Sequence, residues 1–205
     1  MAADRVFSDP DLLTGRLFFA VAVPGASRAP LEAALPELAL ALPKARLAVA
    51  SGWHLTLAFL GQVRPEFSAE VVTVGESAVA GVGPAVLRLQ GAGGFPNQRK
   101  ANVLWAGVAG DVEVLVRLAA NLASACRAAG LRVEEREFQP HLTLARFPTP
   151  GPVPEPVVDL LTAATAACPA WEARELHCYR STVTNRGARY RAVRSFPLAG
   201  GSAPP

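Results

Sequence analysis

Two of the three histidines in this chain begin the same four-residue sequence. His54 begins one copy of His-Leu-Thr-Leu and His141 begins the other. In a β-strand the side chains alternate between faces, so each histidine shares a face with the threonine two residues later, Thr56 or Thr143, while the leucines point the opposite way. Two such strands facing each other would place two imidazoles and two hydroxyls around one small volume.

This set of groups suits the hydrolysis of a phosphodiester. Imidazole titrates near neutral pH, so one ring can accept a proton from the attacking oxygen while the other protonates the leaving oxygen. Hydroxyl groups can donate hydrogen bonds to the non-bridging phosphoryl oxygens as charge develops. A cyclic phosphate is strained and carries its own leaving alkoxide, so we expect that it can be opened without a metal.

Basic and aromatic residues near the repeat are candidates for further contacts with an anionic ligand. Arg146 follows the second copy, but strict alternation would place it on the leucine face, so its reach depends on the strand ending there. Phe95, Arg99 and Lys100 lie in the stretch GAGGFPNQRK, which we interpret as a long hairpin loop. An aromatic residue beside basic residues is typical of contacts with single-stranded nucleic acid.

A zinc site is the competing interpretation of the paired histidines. Catalytic zinc usually takes three protein ligands, and the remaining histidine, His177, has no paired context. The three cysteines, Cys126, Cys168 and Cys178, are irregularly spaced, which favours reduced thiols in a cytoplasmic protein over a disulfide framework. We therefore expect no metal and no other cofactor.

The composition restricts the class of protein. With 51% hydrophobic and 18% charged residues among 205, the chain can bury a core and is too apolar to be disordered. No apolar run is long enough for a membrane span, and the first residues have no signal-peptide pattern. The net charge of +3 is weak for a DNA-binding domain but compatible with an anionic substrate.

Hydrophobic periodicity and turn residues predict the elements that position the repeat. The predicted order is β-α-β-α-β-β-α-β-α-β-β. The strands are expected at 16–23, 53–60, 84–90, 102–108, 137–147, 172–184 and 189–198, and the helices at 27–42, 65–80, 111–129 and 157–167. Each half carries one His-Leu-Thr-Leu strand, which suggests two α+β lobes around a shared cleft. We expect one domain over residues 16–198, an N-terminal extension at 1–15 and a disordered tail at 199–205.

The repeat and its flanking segments resemble a known enzyme family. The segments that carry the resemblance are RLFFAVAVP, WHLTLAFLG, FPN followed by VLWAGV, FQPHLTLAR and YRSTVTNRGARY. They are similar to the bacterial and archaeal RNA 2′,3′-cyclic phosphodiesterases, also called LigT-like 2′–5′ RNA ligases, of the 2H phosphoesterase superfamily. The resemblance covers residues 16–198, nearly the whole chain.

The resemblance implies an α+β fold with two pseudo-twofold-related lobes, in which antiparallel sheets line a central cleft and helices lie outside. It also implies hydrolysis of a terminal RNA 2′,3′-cyclic phosphate to a 2′-phosphomonoester without metal or cofactor. By motif position, His54 would be the proton donor to the leaving 3′ oxygen, and His141 the proton acceptor that activates water. Thr56, Thr143 and Arg146 would bind the phosphate.

The same resemblance implies a substrate and leaves alternatives open. The expected partner is an RNA end with a 2′,3′-cyclic phosphate, including tRNA fragments, acted on by a cytoplasmic monomer with no membrane association. Reversal of the reaction would join RNA ends through a 2′–5′ bond. The open alternatives are a phosphodiesterase acting on small cyclic nucleotides or ADP-ribose cyclic phosphate, and a non-catalytic module that binds RNA ends. The residues alone do not distinguish the proton donor from the acceptor.

Overall fold

The structure, a computed structural model, describes residues 13–134, 137–184 and 187–200. The strands are β1 (Gly15–Ala22), β2 (Arg46–Leu47), β3 (His54–Val63), β4 (Ala85–Phe95), β5 (Ala101–Gly110), β6 (His141–Gly151), β7 (Trp171–Ala173), β8 (Glu175–Thr184) and β9 (Gly187–Pro197). The helices are α1 (Gly25–Ala33), α2 (Leu35–Ala41), α3 (Ser68–Val79), α4 (Val112–Ala128) and α5 (Glu155–Ala166). Residues 1–12 of the predicted extension and 201–205 of the predicted tail lie outside the described residues.

Two antiparallel sheets form the framework. The first has the strand order β3-β1-β8-β9, and the second has the order β2-β6-β5-β4-β7. The strands that carry the repeat, β3 and β6, contact each other where the sheets meet. Helix α3 packs on α4 and β9, α4 packs on β3, and α5 packs on β4. The predicted α+β fold with two antiparallel sheets is confirmed.

The sequence repeat is also a repeat of strand pairing. In the first sheet β3 pairs with β1, which pairs with β8, and in the second sheet β6 pairs with β5, which pairs with β4. His54 lies opposite Ala22 of β1, and His141 lies opposite Gly107 of β5. Each histidine is therefore the first residue of its strand and has a small residue as its neighbour on the adjacent strand.

The leucines of the repeat fix which face of each strand is buried. Leu55 and Leu144 are 0% exposed, Leu142 is 1% exposed and Leu57 is 7% exposed. Full burial of one leucine side chain contributes about 1.5–3 kcal/mol relative to exposure. A shift of either strand by one residue would move its leucines to the opposite face, so this burial also holds the histidines on the face away from the core.

The prediction of a long loop at 91–100 is wrong for residues 91–95, which continue β4. Gly93 lies opposite Trp105 of β5, and a Cβ atom at Gly93 would overlap the Trp105 indole. The glycines therefore make room for a large neighbouring side chain within the strand. The loop between β4 and β5 is reduced to residues 96–100, and Phe95 belongs to the strand.

The single strand predicted at 172–184 is two strands in different sheets. Strand β7 pairs with β4, and β8 pairs with β1, with Arg174 between them. Both pieces are extended and neither Gly nor Pro separates them, so local sequence does not mark the change of sheet. The predicted turn residues Asn185 and Arg186 lie outside the described residues.

Other boundaries also differ from the sequence-based prediction. The helix predicted at 27–42 is divided into α1 and α2, with Pro36 in the first turn of α2. Ser27 is buried inside α1 and does not cap it. Strand β2 was missed because two residues carry no periodicity, and β6 begins at His141 and continues through two prolines to Gly151. No helix in the described part of the chain is long and apolar enough to span a bilayer.

The contact between α3 and β9 tests the packing of the first sheet. Gly75 of α3 lies against the buried ring of Phe196, and an added Cβ atom would overlap that ring. We expect Gly75→Ala to lower the free energy of unfolding by about 1–3 kcal/mol through overpacking, although alanine favours an isolated helix by about 1 kcal/mol. Urea unfolding measures the change.

Gly25→Ala is the matched control, because no atom lies within 4 Å of a Cβ built at this position of α1. We expect this variant to be as stable as the unmodified protein or slightly more stable. Equal stability of the two variants would contradict the packing of Gly75 on Phe196.

Candidate active site

Each imidazole of the repeat is held by a backbone carbonyl group two residues earlier. His54 Nδ1 lies 2.6 Å from the Gly52 oxygen, and His141 Nδ1 lies 2.7 Å from the Gln139 oxygen. Because a carbonyl oxygen can only accept a hydrogen bond, Nδ1 must carry the hydrogen in both rings. The proton that is gained or lost near neutral pH is therefore the one on Nε2.

Different local sequences produce this shared geometry. Gly52 ends a short 3₁₀ turn, and buried Trp53 connects that turn to β3. In the other lobe Pro140 occupies the matching position, and a proline restricts the residue before it, Gln139, to extended conformations. In both lobes the carbonyl group lies beneath the imidazole at the start of the strand.

The two imidazoles interact electrostatically with each other. Burial is the main cause that lowers the pKa of His54; the Gly52 carbonyl opposes this change, and the charge of His141 lowers the pKa further. Burial also lowers the pKa of His141, the Gln139 carbonyl opposes the change, and the Arg146 guanidinium adds to the lowering. The side chains of His54, His141 and Arg146 therefore belong to one electrostatic environment.

Three aromatic rings enclose His54. The Phe18 ring centroid lies 4.7 Å from that of His54, and the corresponding distances are 4.9 Å for Tyr190 and 5.8 Å for Tyr179. Phe18 also stacks on Tyr179 at 5.4 Å. Sequence reasoning missed these residues, although the alternation of buried Leu176 and Cys178 with Tyr179 in β8 was a usable signal.

Phe95 lies against the second histidine. Its ring contacts His141 edge-on at a centroid distance of 4.9 Å and lies 5.3 Å from the Trp105 ring. Trp105 is the strand neighbour of Thr143. The structure therefore places Phe95 beside the imidazole, whereas the sequence had suggested a loop residue.

Arg146 lies on the face of His141, contrary to strict alternation. The register of β5 with β6 changes between Leu104 and Trp105, so that Leu144 is an extra residue in a β-bulge. Arg146 is then paired with Val103, on the same face as the Thr143–Trp105 pair. The expectation that its reach depends on the strand ending is wrong, because β6 continues to Gly151 and the bulge supplies the change of face.

The first sheet has the same bulge with a different residue after it. The register of β1 with β3 changes between Phe19 and Ala20, and Phe59 is paired with Phe18. Phe59 therefore occupies the position that matches Arg146. The Arg16 guanidinium lies over the Phe59 ring, 4.8 Å from its centroid. The second lobe thus has an arginine at this position, whereas the first lobe has a phenylalanine with the Arg16 guanidinium over its ring.

The remaining candidates lie farther from the paired imidazoles. Arg99 and Lys100 are exposed in the loop at 96–100, where both backbone N–H groups donate to the Asn97 side chain at 3.1 Å. His177 lies two strands from β3, opposite Ala20, and its Nδ1 is hydrogen-bonded to the Ser195 hydroxyl at 2.8 Å. The structure does not bring His177 into contact with His54 or His141.

The described residues contain neither a metal-binding cluster nor a reactive thiol. Among them, no group of three His, Cys, Asp or Glu side chains is placed to hold a metal ion. Cys126, Cys168 and Cys178 are buried and form no disulfide. Burial raises the pKa of Cys126 to about 11 and that of Cys178 to about 12, so these thiols stay protonated near neutral pH.

Comparison with known proteins identifies the family. Residues 25–185, which include both copies of the repeat, match the family model of the 2'-5' RNA ligase superfamily. The chain belongs to this superfamily. This membership confirms the resemblance on which the prediction of a phosphodiesterase enzyme rested.

Curated relatives and solved structures agree with this assignment. An RNA 2',3'-cyclic phosphodiesterase of Geobacillus stearothermophilus is 31% identical over 72% of this chain, although the match spans only 46% of that protein. The Archaeoglobus fulgidus protein of the same name is 29% identical over 88% of this chain and 99% of its own length. The crystal structure of E. coli LigT complexed with 3'-AMP superposes with a TM-score of 0.68 at 25% identity, covering 90% of this chain and 98% of that one.

The electrostatic coupling of the site predicts how its imidazoles titrate. His54 and His141 should each titrate below the ordinary histidine pKa of about 6.5. Replacing His141 by Gln removes a positive charge and should raise the pKa of His54, and Arg146→Gln should raise the pKa of His141 for the same reason. Proton NMR of the imidazole ring resonances as a function of pH measures all these values.

His177 is the internal control for this titration. Its pKa is lowered by burial, with the Glu175 carboxylate opposing the change, and neither replacement removes a group that shifts it. The coupling would be disproved if His141→Gln left the His54 titration unchanged.

Proposed function

We propose that this protein hydrolyses the terminal 2′,3′-cyclic phosphate of RNA to a 2′-phosphomonoester by metal-independent acid–base catalysis. The observation that carries the proposal is the pair of imidazoles with matching Nδ1 bonds, which lie on two strands that contact each other where the sheets meet. The names of the curated relatives support the substrate class. In this proposal residues 16–198 act as one catalytic domain with two lobes.

The two histidines have complementary roles in one displacement. His141 Nε2 accepts a proton from water as the water oxygen forms a bond to phosphorus. The bond between phosphorus and the 3′ oxygen breaks, and His54 Nε2 donates its proton to that oxygen. The product has a 2′-phosphate and a free 3′-hydroxyl, and proton exchange with solvent restores both rings. The Thr56 and Thr143 hydroxyls donate to the non-bridging oxygens.

The surroundings of each ring support this assignment. Arg146 disfavours protonation of His141 and so keeps that ring available as a base. The guanidinium can also pair with the phosphate, because its forked donors match a phosphate group. An anionic phosphate between the rings raises the pKa of both imidazoles, and the Arg146 charge limits this rise at His141. The surroundings therefore favour a protonated His54 and a neutral His141.

Several finer points belong to the same proposal. Phe95 would contact a base, and Arg99 and Lys100 would contact the RNA backbone. Attack on the cyclic phosphate by the 5′-hydroxyl of a second RNA in place of water, with the 3′ oxygen leaving in the same way, would join RNA ends by a 2′–5′ bond. Use of tRNA fragments, cytoplasmic location, a monomeric state and independence from cofactors remain predictions from the sequence.

Hydrolysis of small cyclic nucleotides is the second candidate function. The structure of E. coli LigT complexed with 3'-AMP favours it, because 3'-AMP is a mononucleotide. Product analysis on a cyclic-phosphate oligonucleotide and on a nucleoside 2′,3′-cyclic phosphate separates the two functions. A non-catalytic binding module would leave both substrates intact.

The roles of the histidines can be tested by replacement with Asn. We expect His54→Asn and His141→Asn each to lower kcat on a cyclic-phosphate oligonucleotide by about 10²–10⁴, the usual contribution of a general acid or base. Circular dichroism would show that the variants are folded. The rate of the unmodified protein should not change when EDTA is added.

His177→Asn is the matched control, because it removes the third histidine from the same sheet without touching the paired imidazoles. We expect it to keep nearly full activity. A 3′-phosphate product, dependence on added zinc, or full activity in the His54 or His141 variant would overturn the proposed mechanism.

A further inference from the structure

Two arginines face each other across the edge of the second sheet. Arg46 of β2 is the direct register partner of Arg146 of β6, and the backbone N–H of Ala48 donates to the Leu144 carbonyl at 2.7 Å beside them. Like charges directly opposite each other in a sheet repel. The pairing of β2 with β6 therefore places two arginine residues directly opposite each other on neighbouring strands, despite the repulsion between their charges.

Both side chains lie on the face that carries the catalytic candidates. Leu47 pairs with buried Ala145 and packs against the core, so Arg46, its neighbour, points to the opposite face with Arg146. Because of the bulge at Leu144, Arg146 lies on the same face of β6 as Thr143 and His141. Arg46 and Arg146 are both exposed, and in the described part of the chain neither forms an ion pair.

The strands around the arginine pair contain no acidic residue. These strands are β2, β4, β5 and β6, and none of them contains Asp or Glu. Lys44 precedes β2, and Arg99 and Lys100 lie in the loop between β4 and β5. The charge on this part of the second sheet is therefore positive and favours an anionic ligand.

The arginine pair continues a row that leads away from the histidines. Arg46, Arg146, Val103 and Phe95 are successive register partners across four strands. His141 and Thr143 precede Arg146 along β6, and the loop at 96–100 with Arg99 and Lys100 follows Phe95. Positive charge thus extends from the reacting centre along one end of the second sheet.

We infer that Arg46 binds the phosphodiester next to the cyclic phosphate, on its 5′ side, while Arg146 binds the reacting phosphate. This inference rests on the proposed function. A 2′,3′-cyclic phosphate ends the RNA chain, so every further phosphate lies on the 5′ side. The cyclic phosphate carries one negative charge, which pairs with Arg146. Arg46, on the neighbouring strand β2, can then pair with the negative charge of the next phosphodiester. Arg46 is therefore a specificity residue that favours oligonucleotides over cyclic mononucleotides.

Steady-state kinetics of Arg46→Gln tests this role on two substrates, uridine 2′,3′-cyclic phosphate and a uridine trimer ending in a 2′,3′-cyclic phosphate. One charge-assisted hydrogen bond near the surface corresponds to about a tenfold change in affinity. We expect KM for the trimer to rise about tenfold with kcat unchanged, and both constants for the mononucleotide to stay the same. The slope of log KM for the trimer against log salt concentration should become shallower by about 0.7.

Arg117→Gln removes the same charge from the exposed face of α4 and is the matched control, expected to leave both substrates unaffected. A second readout is fluorescence anisotropy of a trimer ending in a 2′-phosphate, which needs no turnover and should show about tenfold weaker binding to Arg46→Gln. An equal rise of KM for both substrates, or unchanged binding of the trimer, would overturn the role of Arg46. Absence of turnover of either substrate by the unmodified protein would instead overturn the proposed function.

Discussion

The hydrogen bond from Nδ1 of each histidine to a backbone carbonyl is the constraint on which the site depends. It fixes the ring orientation and leaves Nε2 as the atom that exchanges a proton. A turn of the imidazole ring by about 180° would replace Nε2 by Cε1 and Nδ1 by Cδ2, so the hydrogen bond to the carbonyl would be lost. The same bond occurs in both lobes, although a 3₁₀ turn supplies the carbonyl before β3 and a residue held by Pro140 supplies it before β6.

Burial of the leucines and the two bulges determine what accompanies each imidazole. The leucines hold the register of β3 and β6, so His and Thr share the face of each strand that is opposite the buried leucines. Because of the bulges, the fifth residue after each histidine lies on that same face. This residue is Phe59 in one lobe and Arg146 in the other. One duplicated backbone thereby produces an asymmetric site, with aromatic rings around His54 and a guanidinium beside His141.

The repeated motif and the period-two alternation predicted two related halves in which His and Thr share one face of a strand, and the family resemblance implied the two antiparallel sheets. The sequence-based prediction failed where the structure depends on contacts distant in the chain. The bulge that redirects Arg146 is set by pairing with β5, and at residues 91–95 of β4 the glycines leave room for the indole of Trp105. Strand β2 is too short to have a pattern, so the position of Arg46 opposite Arg146 required the register of the sheet.

In the proposed mechanism both imidazoles act on one phosphorus atom. Titration of the protein with uridine 2′-phosphate, followed by NMR of the three histidine rings, shows whether they share one phosphate. We expect the His54 and His141 resonances to shift together with one saturation concentration, and both pKa values to rise because an anion lies between the rings, while His177 stays unchanged. Movement of only one of the two rings, or saturation at two different concentrations, would contradict a shared phosphate.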